Sequence, residues 1–300
     1  MKYIRTYETE EKSLTDKDST SRGFTLKPVL YKYSDADNGI YLEIDDPKRR
    51  GDSTYMEITL DSDTEFSFYI GNASGDTQTT MDCSVDWGDG TVETKTITKD
   101  DKGFKLSHNY KAGSYSIELY DVERDYEIVG DVENWISLIS PVESVMRVVL
   151  GSGVVSIGGD AFDDCESLTS IYIPNSVTYI GDHAFYYCES LTSINIPEGV
   201  TGISSWTFSD CTSLKSISIP KKVTHIDEEA FARCSSLKSI SSFNTKAPSL
   251  SPSDADTDGN PVGVFDQLPV DGTLHIKPGA TGYDAWLSQL PSGWTIVEDL

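Results

Sequence analysis

The sequence has few basic residues and no long apolar run. It contains 24 Lys and Arg against 49 Asp and Glu, which gives a formal net charge of −25. Nucleic acids and anionic membrane surfaces are bound through basic patches, so this charge balance argues against both partners. No segment approaches the roughly 18–20 apolar residues that a membrane-spanning helix needs. The stretch Met1 to Glu8 also lacks the apolar core of a secretory signal peptide.

Residues that carry common catalytic chemistry are scarce as well. The four His form no His-Glu-x-x-His motif, and neither a nucleophile elbow nor a Gly-rich phosphate loop occurs. Asp86 precedes a Gly-Asp-Gly turn whose central residue is Asp89, and the turn accounts for Asp89 without any acid–base role. We therefore predict that the chain is not an enzyme and has no catalytic residues.

A 23-residue repeat dominates the second half of the sequence. Each copy begins with a small residue followed by Phe, and Cys and Leu come next. The strand-like pattern Ile-x-Ile-Pro and then Val-x-x-Ile complete the copy. The cysteines are Cys165, Cys188, Cys211 and Cys234. Alternating Ile-x-Ile is typical of a strand with one buried face. One such unit cannot bury its own apolar side chains, so successive units must stack as a solenoid. Cys next to Phe and Leu is expected to be a buried, reduced thiol.

The repeat pattern resembles a known family. Ser-Leu-Thr-Ser-Ile-x-Ile-Pro-x-x-Val-Thr-x-Ile-Gly-x-x-Ala-Phe-x-x-Cys is similar to the BspA-like, or Treponema-type, leucine-rich repeat, over roughly residues 135–245. The resemblance implies a β-α solenoid of the kind found in bacterial surface proteins that take part in adhesion. It brings no catalytic residues with it.

A second resemblance precedes the repeats. Trp87-Gly88-Asp89-Gly90 forms a tight turn between strand-like runs, and a strand with His108, Tyr110 and Tyr115 follows. Together these motifs resemble the PKD domain, an immunoglobulin-like β-sandwich. The resemblance implies a spacer or binding module on an extracellular protein.

These patterns predict a multi-domain, mainly β chain: a PKD/Ig-like β-sandwich followed by a short leucine-rich-repeat β-α solenoid with a C-terminal cap. The predicted parts are an N-terminal arm and small β-region (residues 1–50), the PKD-like sandwich (51–130), the 23-residue repeats (131–245) and the capping region (246–300). The first part is either an attachment segment or the first strands of a larger sandwich.

Candidate ligand-binding residues occupy outward positions of the solenoid strands. Tyr172, Asn195 and Ser218 each lie between the two Ile of a strand, and Tyr179 and His225 mark a second column. A row of Tyr, Asn and Ser suits polar or glycan recognition by stacking and hydrogen bonding. An ordinary solvated sheet face is the alternative.

An acidic loop near the C-terminus has the spacing of a calcium site. Asp254, Asp256 and Asp258 place carboxylates at alternate positions before Gly259. An EF-hand loop needs Glu at its twelfth position, where this sequence has Phe265. A solvated acidic loop is therefore favoured, and no cofactor is expected unless calcium binds there.

The predicted function is non-enzymatic adhesion or recognition. The solenoid would bind a host or bacterial surface protein, a cell-surface polymer or a glycan. The protein would lie at a bacterial cell surface or be extracellular if a leader is missing from this sequence. The alternative is a phage virion protein (structural, decoration or tail-fibre). Residues 1–50 would then anchor it, or assemble it as a homo-oligomer, and Met1 would be native.

Overall fold

The structure is a computed structural model that describes residues 30–36, 39–45, 53–72, 79–98, 103–120, 122, 126–128, 130–131, 136–137, 139–252, 254–255 and 261–300. These residues form strands and turns, with a short 3₁₀ helix at Val142–Ser144 and an α-helix, α1, at Asp284–Leu287. No helix within these ranges is long and apolar enough to cross a membrane. The expectation of a mainly β chain is confirmed.

Two β-sheets form the region before the repeats. A separate hairpin, β1 (Leu30–Ala36) and β2 (Gly39–Asp45), comes first. The strands of the two sheets are β3 (Thr54–Leu60), β4 (Thr64–Asn72), β5 (Thr80–Asp86), β6 (Val92–Thr98), β7 (Phe104–Tyr110), β8 (Gly113–Tyr120) and β9 (Tyr126–Ile128). One sheet has the order β3-β8-β5-β6 and the other the order β9-β4-β7. The resemblance of this unit to a PKD domain stays a prediction.

Both sheets continue into the repeats. After the short pair β10 (Gly130–Asp131) and β11 (Ile136–Ser137), β12 (Val145–Val149) pairs with β3 on one side and with β14 (Ser170–Tyr172) on the other. Likewise β13 (Val154–Ile157) pairs with β9 and with β15 (Tyr179–Ile180). One hydrophobic core consequently extends from Met56 to Trp294, across the predicted boundary at residue 130.

The later coils extend two parallel rows of strands. The first row, with β12 and β14, includes the Ile194 bridge, β17 (Ser216–Ile219), β19 (Ser239–Ser242), β23 (Thr273–Ile276) and β24 (Thr295–Glu298). We call it, together with β3-β8-β5-β6, the front sheet. The second row, the back sheet, adds β16 (Gly202–Ile203), β18 (His225–Ile226) and β20 (Ser249–Leu250) to β13 and β15. A short antiparallel pair, β21 (Asp254–Ala255) and β22 (Pro261–Val262), lies before the cap.

The segments between the two rows of repeat strands are turns, which corrects the expectation of a β-α solenoid. In the first coil Asp160 and Asp164 have φ angles of 54° and 58°, and the equivalent residues of the next three coils also have positive φ. A left-handed residue interrupts a right-handed helical turn. The backbone then bonds between coils: the Phe162 N–H donates to the Ala184 carbonyl oxygen at 2.9 Å.

The core of the solenoid is a stack of phenylalanines beside a row of cysteines. Ring centroids of successive phenylalanines are 5.3–6.0 Å apart, along Phe162, Phe185, Phe208, Phe231 and Phe265. The four repeat cysteines are free and buried, as the sequence predicts, and Cys83 is free and buried as well. Phe265 lies 34 residues after Phe231 and still takes the next place in the stack, so the capping region begins with a further coil.

Candidate functional site

The predicted residues Tyr172, Asn195 and Ser218 lie in one column on the outward face of the front sheet. The bridge between Ile171 and Ile194 places Tyr172 beside Asn195, and Ser218 holds the same position one coil later. Tyr172 and Asn195 are half-buried, whereas Ser218 is exposed. The column continues through Ser241, His275 and Val297, which pair in register.

Tyr179 and His225 lie on the back sheet, so they do not belong to the same site. Tyr179 is 53% exposed. His225 pairs with Gly202 in the neighbouring coil, and its ring covers that glycine, because a Cβ on Gly202 would lie 2.1 Å from His225 Nε2. The apolar core of the solenoid separates this face from Tyr172. The five predicted residues therefore form two surfaces.

The predicted calcium loop is described only in part. The backbone of Asp254 pairs with Val262 in the β21–β22 ladder, and Asp256 and Asp258 lie outside the described residues. Phe265, at the place of the EF-hand glutamate, packs against Phe231. Within the described part of the chain, no group of three or more His, Cys, Asp or Glu is placed to hold a metal ion. Calcium binding stays a prediction.

Sequence reasoning missed a cluster of aromatic and charged side chains on the turns. The His183 ring stacks on Trp206 with centroids 5.7 Å apart, and the Arg233 guanidinium lies 5.4 Å from the Trp206 ring. Arg233 also donates to Asp210 at 2.8 Å and to Glu229 at 3.1 Å. The 23-residue spacing of His183, Trp206 and Glu229 is the signal that could have revealed it. Because Trp206 contacts both the imidazole and the guanidinium, the cluster stabilises the stacking of three coils.

Two carboxylates are buried in the turns of the first coil. Asp160 and Asp163 are only 1% and 5% exposed. Burial, together with the neighbouring Asp164 and Asp160, raises the pKa of Asp163 to about 7. Asp163 thus retains its proton to a higher pH than an exposed carboxyl does.

The hairpin motif before the repeats forms a packed network. His108 stacks on Trp87 with ring centroids 5.1 Å apart, and its Nε2 lies 2.8 Å from Asp89 Oδ2. The Tyr110 hydroxyl donates to the Trp87 carbonyl oxygen at 2.8 Å. Asp89 accepts the Thr91 N–H within the turn. These contacts agree with a packing role for His108 and a turn role for Asp89.

Solved structures of leucine-rich repeat proteins are similar to this chain. The *Treponema pallidum* protein TpLRR has 27% identity over 35% of this chain and 60% of its own, with a TM-score of 0.30. A protein from *Bacteroides ovatus* has 22% identity over 72% and 54%, with a TM-score of 0.39. The pneumococcal vaccine antigen PcpA has 17% identity over 58% and 46%, with a TM-score of 0.42.

This chain therefore spans between 46% and 60% of the length of these proteins. No curated protein matches it. The model of the BspA type leucine rich repeat region matches residues 143–249, in six copies. The matched range coincides with the 23-residue pattern and with the stacked coils. Residues 143–249 of this chain are therefore similar to BspA-type leucine-rich repeats.

Proposed function

We propose that the chain is a non-enzymatic recognition module displayed on a bacterial surface, and that it binds its partner through the outward face of the front sheet. The observation that carries this proposal is the column Tyr172, Asn195 and Ser218, which the strand register aligns on one face. These side chains offer a ring face, an amide and a hydroxyl. Such groups can recognise a polar partner by ring stacking and hydrogen bonding.

The repeats support surface display. BspA-like repeats, which the sequence resembles, occur in bacterial surface proteins that take part in adhesion, and residues 143–249 match that repeat type. The PKD resemblance of the preceding unit fits the same setting, since such domains act as spacers or binding modules outside the cell. No observation favours the virion alternative.

A non-enzymatic role agrees with the environment of the carboxylates considered for catalysis. Asp86 accepts the Gly88 N–H at 3.0 Å, and Asp89 is held by Thr91 and His108. Both carboxylates therefore shape the hairpin turn.

The proposal is tested with the full chain on arrays of glycans and of bacterial and host surface proteins. Asn195→Arg and Ser218→Arg place bulky charges on the front face, and Thr178→Arg and Thr201→Arg place the same charge at exposed positions elsewhere in the coils. We expect the first pair to abolish binding to any array hit and the second pair to leave it intact. Binding that survives both front-face variants would contradict the proposal.

A further inference from the structure

The strand register brings a tyrosine of the N-terminal unit next to the predicted column. Val149 of β12 pairs with Tyr172 of β14 on one side and with Tyr55 of β3 on the other. On the opposite face of the same strands, Val148 pairs with Ile171 and Met56 inside the core. Because side chains alternate along a strand, Tyr55, Val149 and Tyr172 share the outward face.

Val149 is the buried centre of this group. It is only 2% exposed, yet it is not part of the main core, which includes its neighbours Val148 and Leu150. Directly opposed side chains on neighbouring strands contact each other. Tyr55, Val149 and Tyr172 thus form one continuous apolar surface, which we call the tyrosine patch.

Both tyrosines remain partly accessible, and Tyr55 is held in place. Each is half-buried. The Tyr55 hydroxyl donates to Glu57 Oε1 at 2.8 Å and lies 3.1 Å from Ser116 Oγ, two groups on the same sheet face. These hydrogen bonds to groups of the same face hold the hydroxyl end of the ring along the sheet. Two strand spacings, about 10 Å, separate the two tyrosines.

The surroundings of the patch are hydrogen-bonding groups. On the N-terminal side, Tyr55 pairs in register with Glu118, a buried carboxylate that accepts a hydrogen bond from Ser53. Arg147 lies 3.7 Å from Glu57. On the solenoid side the outward residues are uncharged, including Ser170, Asn195 and Ser218. An apolar centre with a rim of hydroxyl and amide groups is the arrangement that binds a ligand with both apolar faces and hydroxyl groups.

We propose that the tyrosine patch is a binding site for a neutral glycan, composed of Tyr55 from the N-terminal unit and Tyr172 and Asn195 from the solenoid. Sugar rings would lie over the two tyrosines, and their hydroxyl groups would bond to the amide and serine side chains. The chain's net charge of −25 disfavours polyanionic ligands, and the outward strand positions on the solenoid side, Ser170, Asn195 and Ser218, are uncharged. This inference rests on the proposed function and adds the ligand class and the contribution of the N-terminal unit.

The test measures the affinity of the full chain for neutral oligosaccharides. Cellohexaose, xylohexaose, mannohexaose and maltohexaose are titrated by calorimetry, together with any neutral hit from a glycan array. Tyr55→Ala and Tyr172→Ala should each weaken binding about tenfold, because each removes one stacking surface. Tyr172→Phe keeps the ring and should retain binding, and Tyr55→Phe keeps the ring without its two hydroxyl contacts and should weaken binding less than Tyr55→Ala. Tyr179→Ala is the matched control, since Tyr179 is an exposed tyrosine of the back sheet.

Each outcome separates this inference from the proposed function. If Tyr55→Ala and Tyr172→Ala both weaken glycan binding and Tyr179→Ala does not, the result supports the composite glycan site. Thermal melting must show that the variants are folded. Weakening by Tyr172→Ala alone overturns the composite site and leaves recognition by the solenoid standing. If no neutral glycan binds, the inference is overturned, while a surface protein whose binding is lost in Asn195→Arg would still support the proposed function.

Discussion

The Cys211 thiol donates a hydrogen bond to the carbonyl oxygen of Phe185, 26 residues earlier, at 3.2 Å. Cys188 and Cys234 make the same contact with the preceding coil. Burial raises the pKa of each of these thiols, so the reactive thiolate is suppressed.

We expect a thiol reagent such as Ellman's reagent to label none of the five cysteines in the native chain and all five in guanidinium chloride. The melting temperature should be the same with and without a reductant, since the cysteines are free. Rapid labelling of the native chain would contradict this arrangement.

Tyr110→Phe should lower the free energy of unfolding by about 1–2 kcal/mol, because it removes a buried hydrogen bond to the Trp87 carbonyl oxygen. Tyr115→Phe is the control. Its hydroxyl donates to the Lys111 carbonyl oxygen in an exposed position, so the expected loss is below about 0.5 kcal/mol. Denaturant titration compares the two variants, and equal losses would argue against the network.

Arg233→Met should lower the free energy of unfolding by about 2 kcal/mol, because Asp210 and Glu229 would lose the cation that pairs with them in a buried setting. Lys238→Met removes an exposed pair with Asp271 and should cost at most about 0.5 kcal/mol. The same titration measures both. A smaller loss for Arg233→Met than for Lys238→Met would be inconsistent with the cluster on the turns.

Asp163→Asn should stabilise the chain at pH 8 and have little effect at pH 4. The pKa of Asp163 is about 7 in the folded chain and near the ordinary aspartate value of 3.8 when unfolded. A carboxyl whose pKa is raised by folding binds its proton more tightly in the native state, so its stabilising contribution is present below pH 4 and is lost as pH rises to 7.

The gain for Asp163→Asn at pH 8 is on the order of 1–4 kcal/mol. Asp164→Asn, at an exposed neighbouring position, is the control and should give a much smaller gain. Melting temperatures across pH 4–8 check both, and a constant difference between Asp163→Asn and the parent chain would refute the assignment.

Removal of residues 1–130 should leave a chain that aggregates or fails to fold. The deletion removes β3 and β9, the partners of β12 and β13, and thereby exposes two strand edges and the end of the shared core. Circular dichroism and size-exclusion chromatography measure the result. A monomeric deletion variant with native-like melting would show that the repeats fold independently.

Much of the solenoid could be predicted from the sequence. The 23-residue spacing identifies the buried Phe, Cys, Leu and Ile of each coil, because every coil must bury the same positions to stack. The same spacing correctly aligned Tyr172, Asn195 and Ser218. It did not reveal Phe265, since the insertion before that residue interrupts the period.

Other features depended on contacts that no local pattern contains. The turns replaced the expected helical segments because left-handed residues such as Asp160 and Asp164 direct hydrogen bonds to the next coil. Tyr179 and His225 lie on the opposite face from Tyr172. This placement arises because each coil contributes one strand to the front sheet and one to the back sheet.

The sequence alone determined the repeat, its inward-facing residues, the acidic composition and the scarcity of catalytic motifs, because these depend on residue type and spacing. The tertiary structure alone decided that the N-terminal unit and the solenoid share both sheets, through the pairing of β3 with β12 and β9 with β13. It thereby placed Tyr55 two strands from Tyr172. The strands β3 and β12 lie about 90 residues apart, and their pairing follows from burial of a common core, which a local sequence pattern does not encode.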